Sequence, residues 1–169
     1  MNEIRKWRVP ARVNLIGDHT DYSGGLALPI AINREIIVKA RLRDGERTHV
    51  WSQGQSADFH HRGAEPVSGW LAYIAGVAWA LDAAGLQPPA LDIVIESNIP
   101  IGAGLSSSAA LCCGVALAMT ELAGHSLTPQ QIARVAAKAE NEFVGAPTGL
   151  LDQYSVCLAQ ADHALLLDF

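Results

Sequence analysis

The chain has 169 residues; half of them are apolar, 17% are charged, and the formal net charge is -5 at pH 7. This composition is typical of a globular protein with a substantial core and excludes an intrinsically disordered chain. The acidic balance argues against a nucleic-acid-binding protein, because such proteins need a basic surface to neutralise phosphates. We expect one domain over residues 1–169, with neither nucleic acid nor a membrane among its partners.

Targeting and cysteine patterns predict a cytoplasmic protein. The N-terminal sequence MNEIRKWRVPARV lacks the apolar stretch of a signal peptide. The long uncharged window from Ser97 to Thr120 is interrupted by a proline, glycines and serines, so its apolar run is too short to span a bilayer. The three cysteines, Cys112, Cys113 and Cys157, lack the spacing of a zinc site and are expected to be reduced core residues.

The first third of the chain is predicted to be rich in β-strands. Residues 26–32 (LALPIAI) form an apolar strand in which Pro29 indicates an edge or a bulge. Apolar residues occupy every second position from Ile36 to Leu42 within residues 34–43, which predicts a half-exposed strand. Residues 48–53 (THVWSQ) continue the pattern and are expected to be its hairpin partner.

Helical spacing begins at Ser68. Bulky apolar residues recur every three or four positions from Trp70, which predicts a helix that ends at Gly85. A further helix starts at Thr128, where a threonine N-cap, a proline at the first helical position and Gln131 form a capping box. The other predicted elements are a strand at 91–97, a helix at 109–124, one or two helical turns near 154–161 and a strand at 164–169. Together they predict an α+β fold, a mixed sheet packed against helices.

A glycine-rich turn, IPIGAGLSSSAALCC, leads into the long apolar helix. Gly102 and Gly104 permit a close approach of the backbone to a phosphate, and the amides at the helix N-terminus favour an anion. Ser106, Ser107 and Ser108 offer hydroxyls to oxygens or to a magnesium ion. The alternative is a plain serine-capped helix, which needs one serine rather than three. Neither the lysine of a P-loop nor the third glycine of a dinucleotide-binding turn is present.

Two acidic residues farther along, Glu140 and Asp152, have two interpretations each. Glu140 is either a metal ligand or a solvated helix residue. Asp152 follows the loop GAPTGLL and is either an ordinary N-cap for a helix starting near Gln153 or a catalytic base held on a fixed turn. Spacing alone favours the solvated residue and the N-cap.

The segment ARVNLIGDHTDYSGG, residues 11–25, concentrates charge in a sparsely charged chain. Arg12, Asp18, His19 and Asp21 cannot all face one core, because buried ionisable groups need partners. They belong either to a surface loop with a Ser-Gly-Gly turn or to a site for a small hydroxyl-rich ligand, whose O–H donors suit carboxylates and imidazole.

Taken in order, three segments of the chain resemble the GHMP kinases, and within them the galactokinases. RVNLIGDHTDYSGGLALPIAI is similar to the galactokinase signature, PIGAGLSSSAAL to the family's phosphate loop, and AENEFVGAPTGLLDQ to the segment that carries its base. Order and spacing match across nearly the whole chain, including the helix with Trp70 and Tyr73. The resemblance implies the N-terminal domain of such a kinase, with a left-handed βαβ crossover and with the C-terminal domain absent from this chain.

The resemblance also implies an enzyme that transfers phosphoryl from MgATP to the anomeric hydroxyl of galactose, giving galactose 1-phosphate. It implies that Asp152 is the catalytic base and that Arg12 keeps this carboxylate ionised and stabilises developing negative charge. The other roles that it implies are sugar binding by Asp18, His19, Thr20, Asp21 and Gly149, triphosphate binding by Gly102, Ala103, Gly104, Leu105, Ser106, Ser107 and Ser108, and magnesium binding by Ser108 and Glu140.

The chain departs from the galactokinase pattern at two positions and in length. Ala11 replaces the usual glycine before Arg12, and Asp18 replaces the usual glutamate, which shortens one sugar-binding arm. Two alternatives therefore stay open: a GHMP kinase for arabinose, N-acetylgalactosamine or glucuronate, and a non-catalytic module that binds a sugar or a nucleotide. Full-length members are expected to be mainly monomeric. Because this chain stops early, we expect its last strand to lack a partner and to expose a surface liable to associate.

Overall fold

The computed structural model describes residues 3–100 and 102–169 of the chain. Its strands are β1 (Arg5–Asn14), β2 (Leu26–Ala27), β3 (Pro29–Leu42), β4 (Arg47–Ser52), β5 (Gln55–His60), β6 (Leu91–Ser97) and β7 (Leu167–Asp168). Its helices are α1 (Trp70–Ala83), α2 (Ser107–Leu122), α3 (Pro129–Lys138), a π-helical segment (Ala139–Val144) and α4 (Leu151–Leu158). The predicted α+β class, a mixed sheet with helices, is confirmed.

The main sheet has five strands in the order β1-β3-β6-β4-β5. β3 pairs antiparallel with β1 and with β6, β4 pairs antiparallel with β5, and β4 runs parallel to β6. The chain passes from β4 to β6 through β5 and α1, so a crossover connection joins the parallel pair. The left-handed sense of that crossover stays a prediction from the resemblance.

β3 shows the predicted alternation, because Ile36 and Val38 are buried and the residues between and beside them are more exposed. The strand is irregular where its register against β1 shifts between Pro10 and Ala11. Pro29 lies away from this irregularity. It is the first residue of the strand, a position that tolerates proline.

The predicted hairpin between 34–43 and 48–53 is wrong. β3 and β4 do not pair, because β6 lies between them. β4 forms its hairpin with β5 instead, through Gln53 and Gly54, which both have positive φ values of 49° and 80°. Two central residues with positive φ give a turn whose twist suits antiparallel strands.

α2 is the central helix of the fold. It packs directly on β1 and β3 and is flanked by α1, α3 and α4. A Cβ at Gly114 would lie 2.9 Å from a methyl carbon of Val38, so this glycine permits the close approach of α2 to the sheet.

Cys112 and Cys113 are buried in this layer, as predicted for core residues, whereas Cys157 is only partly buried. Within the described part of the chain, no helix combines the length and the apolar content needed to cross a membrane.

α3 begins as the sequence predicts. The Thr128 hydroxyl accepts a hydrogen bond from the Gln131 amide at 3.2 Å, and the Gln131 side chain accepts one from the Thr128 amide at 2.8 Å. After Lys138 the helix widens into the π-helical segment, which the sequence did not predict. Such segments are rare and occur frequently at functional sites.

The last segment of the chain is partly a strand and has a partner. β7 pairs antiparallel with β2, and an isolated bridge joins Ala164 to Ile30. The prediction of a final strand without a partner is therefore wrong, since β2 supplies one. Leu26 and Leu166 remain more than half exposed in this region.

Candidate active site

Arg12 connects three parts of the fold. It lies on β1, and its Nε and Nη2 donate to Asp152 Oδ1 on α4 at 3.0 and 2.6 Å. Its Nη1 donates to the carbonyl of Gly104, in the turn before α2, at 2.8 Å. Only 14% of the Arg12 side chain is exposed, compared with 30% of the Asp152 side chain. The guanidinium therefore holds the carboxylate of α4 next to the glycine-rich turn.

Asp152 is not a helix cap. α4 begins at Leu151, its N-cap residue is Leu150, and no side chain caps it. Asp152 lies in the first turn, where the helix dipole favours a negative charge. The interpretation as an N-cap is therefore wrong, and the carboxylate is paired with Arg12 instead.

The glycine-rich turn has an unusual backbone. Gly102, Gly104 and Ser106 have positive φ values of 72°, 67° and 58°. Ser106 occupies the N-cap position without a side-chain cap, and its buried hydroxyl has no hydrogen-bond partner among the described residues. The interpretation as a plain serine cap is therefore wrong. An unpartnered buried hydroxyl beside the free amides of a helix N-terminus suits an anionic ligand. The other predicted phosphate-binding residues lie in the same turn or at the start of α2: Ala103, Leu105, Ser107 and Ser108.

Glu140 is buried, with 1% of its surface exposed. It lies in the π-helical segment, and its Oε2 accepts a hydrogen bond from Gln153 Nε2 at 2.5 Å. The Ser108 side chain, at the start of α2, lies close enough to this carboxylate to interact with it. Burial raises the pKa of Glu140, and the interactions with Ser108 and Gln153 counteract that rise. The interpretation as a solvated helix residue is therefore wrong.

Glu140 and Ser108 together fit a magnesium ion that is shared with a nucleotide. Mg²⁺ is usually bound through one or two carboxylates together with substrate phosphates and water. Among residues 3–100 and 102–169, no group of three or more His, Cys, Asp and Glu side chains could hold a metal ion. One carboxylate and one hydroxyl beside the glycine-rich turn are too few for a closed protein cage and match a site that a ligand would complete.

A cleft of about 240 Å³ borders Asp152. Six of the predicted residues line it: Arg12, Asp18, His19, Asp21, Gly149 and Asp152. Thr20 is not among its lining residues, and its hydroxyl donates to the Gly17 carbonyl at 2.8 Å. The structure therefore places Thr20 as a residue that stabilises the loop after β1. In the same loop, the Tyr22 hydroxyl lies 2.6 Å from His19 Nδ1.

The two carboxylates of this loop are held by different partners. Asp18 Oδ1 accepts a hydrogen bond from Asn14 Nδ2 at 2.7 Å, close to the end of β1. Asp21 Oδ2 accepts one from the Leu151 amide at 3.1 Å, at the start of α4. Asp21 thus ties the loop to the helix that carries Asp152.

Gly149 lies directly against Asp21. A Cβ at position 149 would lie 1.9 Å from Asp21 Oδ2, so the carboxylate or the loop would have to move. Replacing Gly149 with alanine is expected to displace Asp21 from the cleft and to lower the free energy of unfolding by about 1–3 kcal/mol. Urea denaturation followed by circular dichroism measures this loss.

The double variant Asp21→Ala/Gly149→Ala is the control for this prediction. Because it removes the atoms that would collide, it is expected to lose less stability than the sum of the two single variants. Strictly additive losses would contradict the steric explanation.

The pKa of Glu140 predicts how stability depends on pH. Since burial raises this pKa above its unfolded value, the folded chain binds more protons than the unfolded chain between the two pKa values, and its stability falls as pH rises through them. The variant Glu140→Gln removes the buried charge. Without ligands, its free energy of unfolding at pH 8 is expected to equal or exceed that of the original chain. At pH 4 the gain in free energy of unfolding is expected to be smaller. Urea denaturation at both pH values tests this, and an advantage confined to pH 4 would contradict it.

A second pocket, of about 470 Å³, was not predicted from the sequence. Ser107 and Ser108 line it, so it adjoins the glycine-rich turn. Its other walls include Ile36, Trp70, Tyr73, Ile95, Ile99 and Leu111. The sequence signal that indicates such a pocket is the pair of aromatic residues on α1, which are three positions apart. In the structure both are only partly buried.

Two family models match the chain. The GHMP kinases N terminal domain matches residues 72–160, which include the glycine-rich turn, Glu140 and Asp152. The galactokinase galactose-binding signature matches residues 2–42, which include Arg12 and the loop after β1.

Curated galactokinases are similar to almost the whole chain. The galactokinase of Streptomyces coelicolor is 42% identical over 167 residues, which cover 96% of this chain and 43% of that relative. The galactokinase of Thermotoga maritima is 37% identical over 163 residues, which cover 96% of this chain and 46% of that relative. The chain therefore spans a little under half the length of these relatives.

Solved structures show the same likeness. The crystal structure of Lactococcus lactis galactokinase complexed with galactose has a TM-score of 0.93 at 30% identity, over 98% of this chain and 45% of that chain. The mevalonate kinase of Methanococcus jannaschii has a TM-score of 0.77 at 21% identity, over 99% of this chain and 54% of that chain, and shares the fold.

Proposed function

This chain belongs to the GHMP kinase family, and we propose that it forms the N-terminal half of a galactokinase, which transfers the γ-phosphoryl group of ATP to the anomeric hydroxyl of galactose. One observation carries the proposal: Arg12 bonds both Asp152, at the 240 Å³ cleft, and Gly104, in the glycine-rich turn. A sugar in the cleft and a triphosphate on the turn would meet at Arg12. The similar galactokinases, one of them solved with galactose, support the choice of sugar.

The cleft supplies the groups that a sugar needs. Asp18, His19 and Asp21 carry carboxylate and imidazole atoms that accept hydrogen bonds from hydroxyls. Asp152 takes the proton of the anomeric hydroxyl, whose oxygen forms a bond to the γ-phosphorus as the bond to ADP breaks. Arg12 stabilises the negative charge that develops on the transferred group. Phosphoryl transfer relies mainly on such positioning and charge neutralisation.

The glycine-rich turn and the neighbouring pocket form the nucleotide side of the site. Backbone amides and serine hydroxyls from Gly102 to Ser108 cradle the triphosphate. The 470 Å³ pocket fits a purine base, because Trp70 and Tyr73 offer aromatic surfaces in a largely apolar setting next to the phosphates. Glu140 and Ser108 hold magnesium, which when bound neutralises charge on the β- and γ-phosphates.

Incubating the purified chain with ATP, Mg²⁺ and galactose tests the proposal. Phosphorus NMR is expected to show galactose 1-phosphate and ADP forming together.

A second candidate function is a non-catalytic module that binds sugar or nucleotide. The observation that favours it is that the chain spans 43% and 46% of the length of two galactokinases. Calorimetric binding of galactose or ATP without any phosphorylated product would support the module and contradict kinase activity of residues 1–169 by themselves.

The choice among sugars is a finer question in the same assay. Asp18 stands where galactokinases usually have glutamate, and it is already bonded to Asn14, so its reach toward a sugar hydroxyl is short. A panel containing galactose, arabinose, N-acetylgalactosamine and glucuronate is expected to show the fastest phosphorylation of galactose. Faster turnover of another sugar would make the protein a GHMP kinase for that sugar instead.

We also propose that residues 1–169 form one domain of a cytoplasmic, monomeric enzyme. The continuous hydrophobic core that joins the sheet to α1, α2 and α3 supports the single domain. Size-exclusion chromatography tests the monomer; a species of twice the mass would support association through the exposed residues near Leu26 and Leu166.

A further inference from the structure

A fully buried glutamine lies next to the residue proposed as the base. Gln153 has no exposed surface, and Glu140, to which it donates, has 1%. A buried amide side chain costs free energy unless its hydrogen bonds are made, and an apolar side chain of the same size would fill the space without that cost. The position therefore favours a role that needs the amide.

The hydrogen bonds of this amide are one-sided. Its Nε2 donates to Glu140 Oε2 at 2.5 Å and lies 3.5 Å from Thr148 Oγ1. Its Oε1 is buried without a partner among the described residues. When Glu140 is ionised its carboxylate only accepts hydrogen bonds, so the nitrogen faces Glu140 and the carbonyl oxygen is left unpaired. The contact to Glu140 thus decides the orientation of the amide.

Gln153 and Asp152 are consecutive on α4, so their side chains leave the helix in directions about 100° apart. The Asp152 side chain meets Arg12, and the Gln153 side chain meets Glu140 in the interior. The first turn of α4 therefore carries the proposed base, Asp152, and also contacts the proposed metal ligand, Glu140.

A second polar contact fixes the segment between these residues. Asn141 Nδ2 donates to the Thr148 carbonyl at 3.0 Å, and Asn141 Oδ1 accepts from the Thr148 amide at 2.9 Å. This pair closes the loop that connects the π-helical segment to α4. Glu140 and Gln153 lie at the two ends of this loop, so the closed loop holds their side chains next to each other.

We propose that Gln153 is a positioning residue that holds the Glu140 carboxylate toward Ser108, in the orientation in which it binds the metal of a metal–nucleotide complex. The inference rests on the proposed function, since it assumes that Glu140 and Ser108 receive this metal. Residues that hydrogen-bond to metal ligands and orient them typically account for a factor of 10 to 100 in metal affinity. Gln153 does not itself line the sugar cleft and reaches it only through a 3.5 Å contact with Thr148, so galactose binding should change little.

The variant Gln153→Met tests the proposal, because methionine has a similar length and no hydrogen-bond donor. Binding of Mn²⁺ to the full chain with a non-hydrolysable ATP analogue is followed by electron paramagnetic resonance, and galactose binding by calorimetry. We expect the dissociation constant for Mn²⁺ to rise about 10- to 100-fold and that for galactose to change less than twofold. The matched control, Gln160→Met, makes the same change at an exposed position and is expected to leave both constants unchanged.

Unchanged Mn²⁺ affinity in a folded Gln153→Met variant would overturn the inference while leaving the kinase proposal in place. Absence of Mn²⁺-dependent nucleotide binding in the original chain would remove both. If the methionine variant does not fold, Gln153→Asn keeps an amide that is one methylene too short to reach Glu140. It is expected to show the same selective loss of Mn²⁺ affinity, and full affinity would contradict the proposal.

Discussion

Replacing Asp152 with asparagine is expected to lower the rate of sugar phosphorylation by about 10²- to 10⁴-fold, the range typical of a lost general base. Asparagine keeps the shape of the side chain and an oxygen that accepts from Arg12, but it does not take up a proton from the sugar. Folding and galactose affinity should therefore be preserved. Initial rates of ADP release, with galactose binding measured by calorimetry, separate the chemical step from binding.

The control for this prediction is Asp162→Asn, which makes the same change at an exposed residue outside the cleft. Its rate is expected to equal that of the original protein. An Asp152→Asn variant that retains more than a tenth of the rate would rule out Asp152 as the base.

Replacing Arg12 with alanine is expected to lower the rate on the order of 100-fold or more, as for other groups that stabilise transition-state charge. The guanidinium donates hydrogen bonds to both Asp152 and the Gly104 carbonyl. Its loss therefore removes a positive charge and leaves both groups without this donor. The effect should fall mainly on kcat. Arg12→Lys restores the charge without the two-pronged geometry and is expected to recover only part of the rate.

Arg8→Ala is the matched control for Arg12. Arg8 lies four residues earlier on the same strand and pairs with Glu35 at the surface. Exposed ion pairs contribute little to stability, so this variant should keep its rate and its fold. Equal losses from Arg8→Ala and Arg12→Ala would indicate a general effect of charge on β1 and would contradict a local role for Arg12.

Elements governed by local spacing were predicted well from the sequence. The helix after Ser68 follows from hydrophobic periodicity, the strand at 91–97 from its β-branched residues, and the start of α3 from its capping box. The strand order was not predicted, because β6 enters between β3 and β4 from a distant part of the chain. The short loop between β3 and β4 suggested that these two strands form a hairpin. In the structure each of them pairs with β6 instead.

The candidate site shows the same division. Arg12, the glycine-rich turn and Asp152 come from three separate segments, and sequence spacing does not say that they meet. Spacing favoured a solvated Glu140, yet the π-helical segment buries it against Gln153. Burial of that kind depends on which helix covers the residue, which is a property of tertiary packing. The roles of these residues in catalysis stay predictions.

The central position of β6 also has a consequence for synthesis. β1 with β3 and β4 with β5 form two pairs that both leave the ribosome before β6 does. Until β6 arrives, one long side of β3 and one of β4 present unpaired amides and carbonyls, which are templates for wrong partners. The nascent polypeptide is therefore open to wrong strand pairing at these two edges until Leu91–Ser97 emerges.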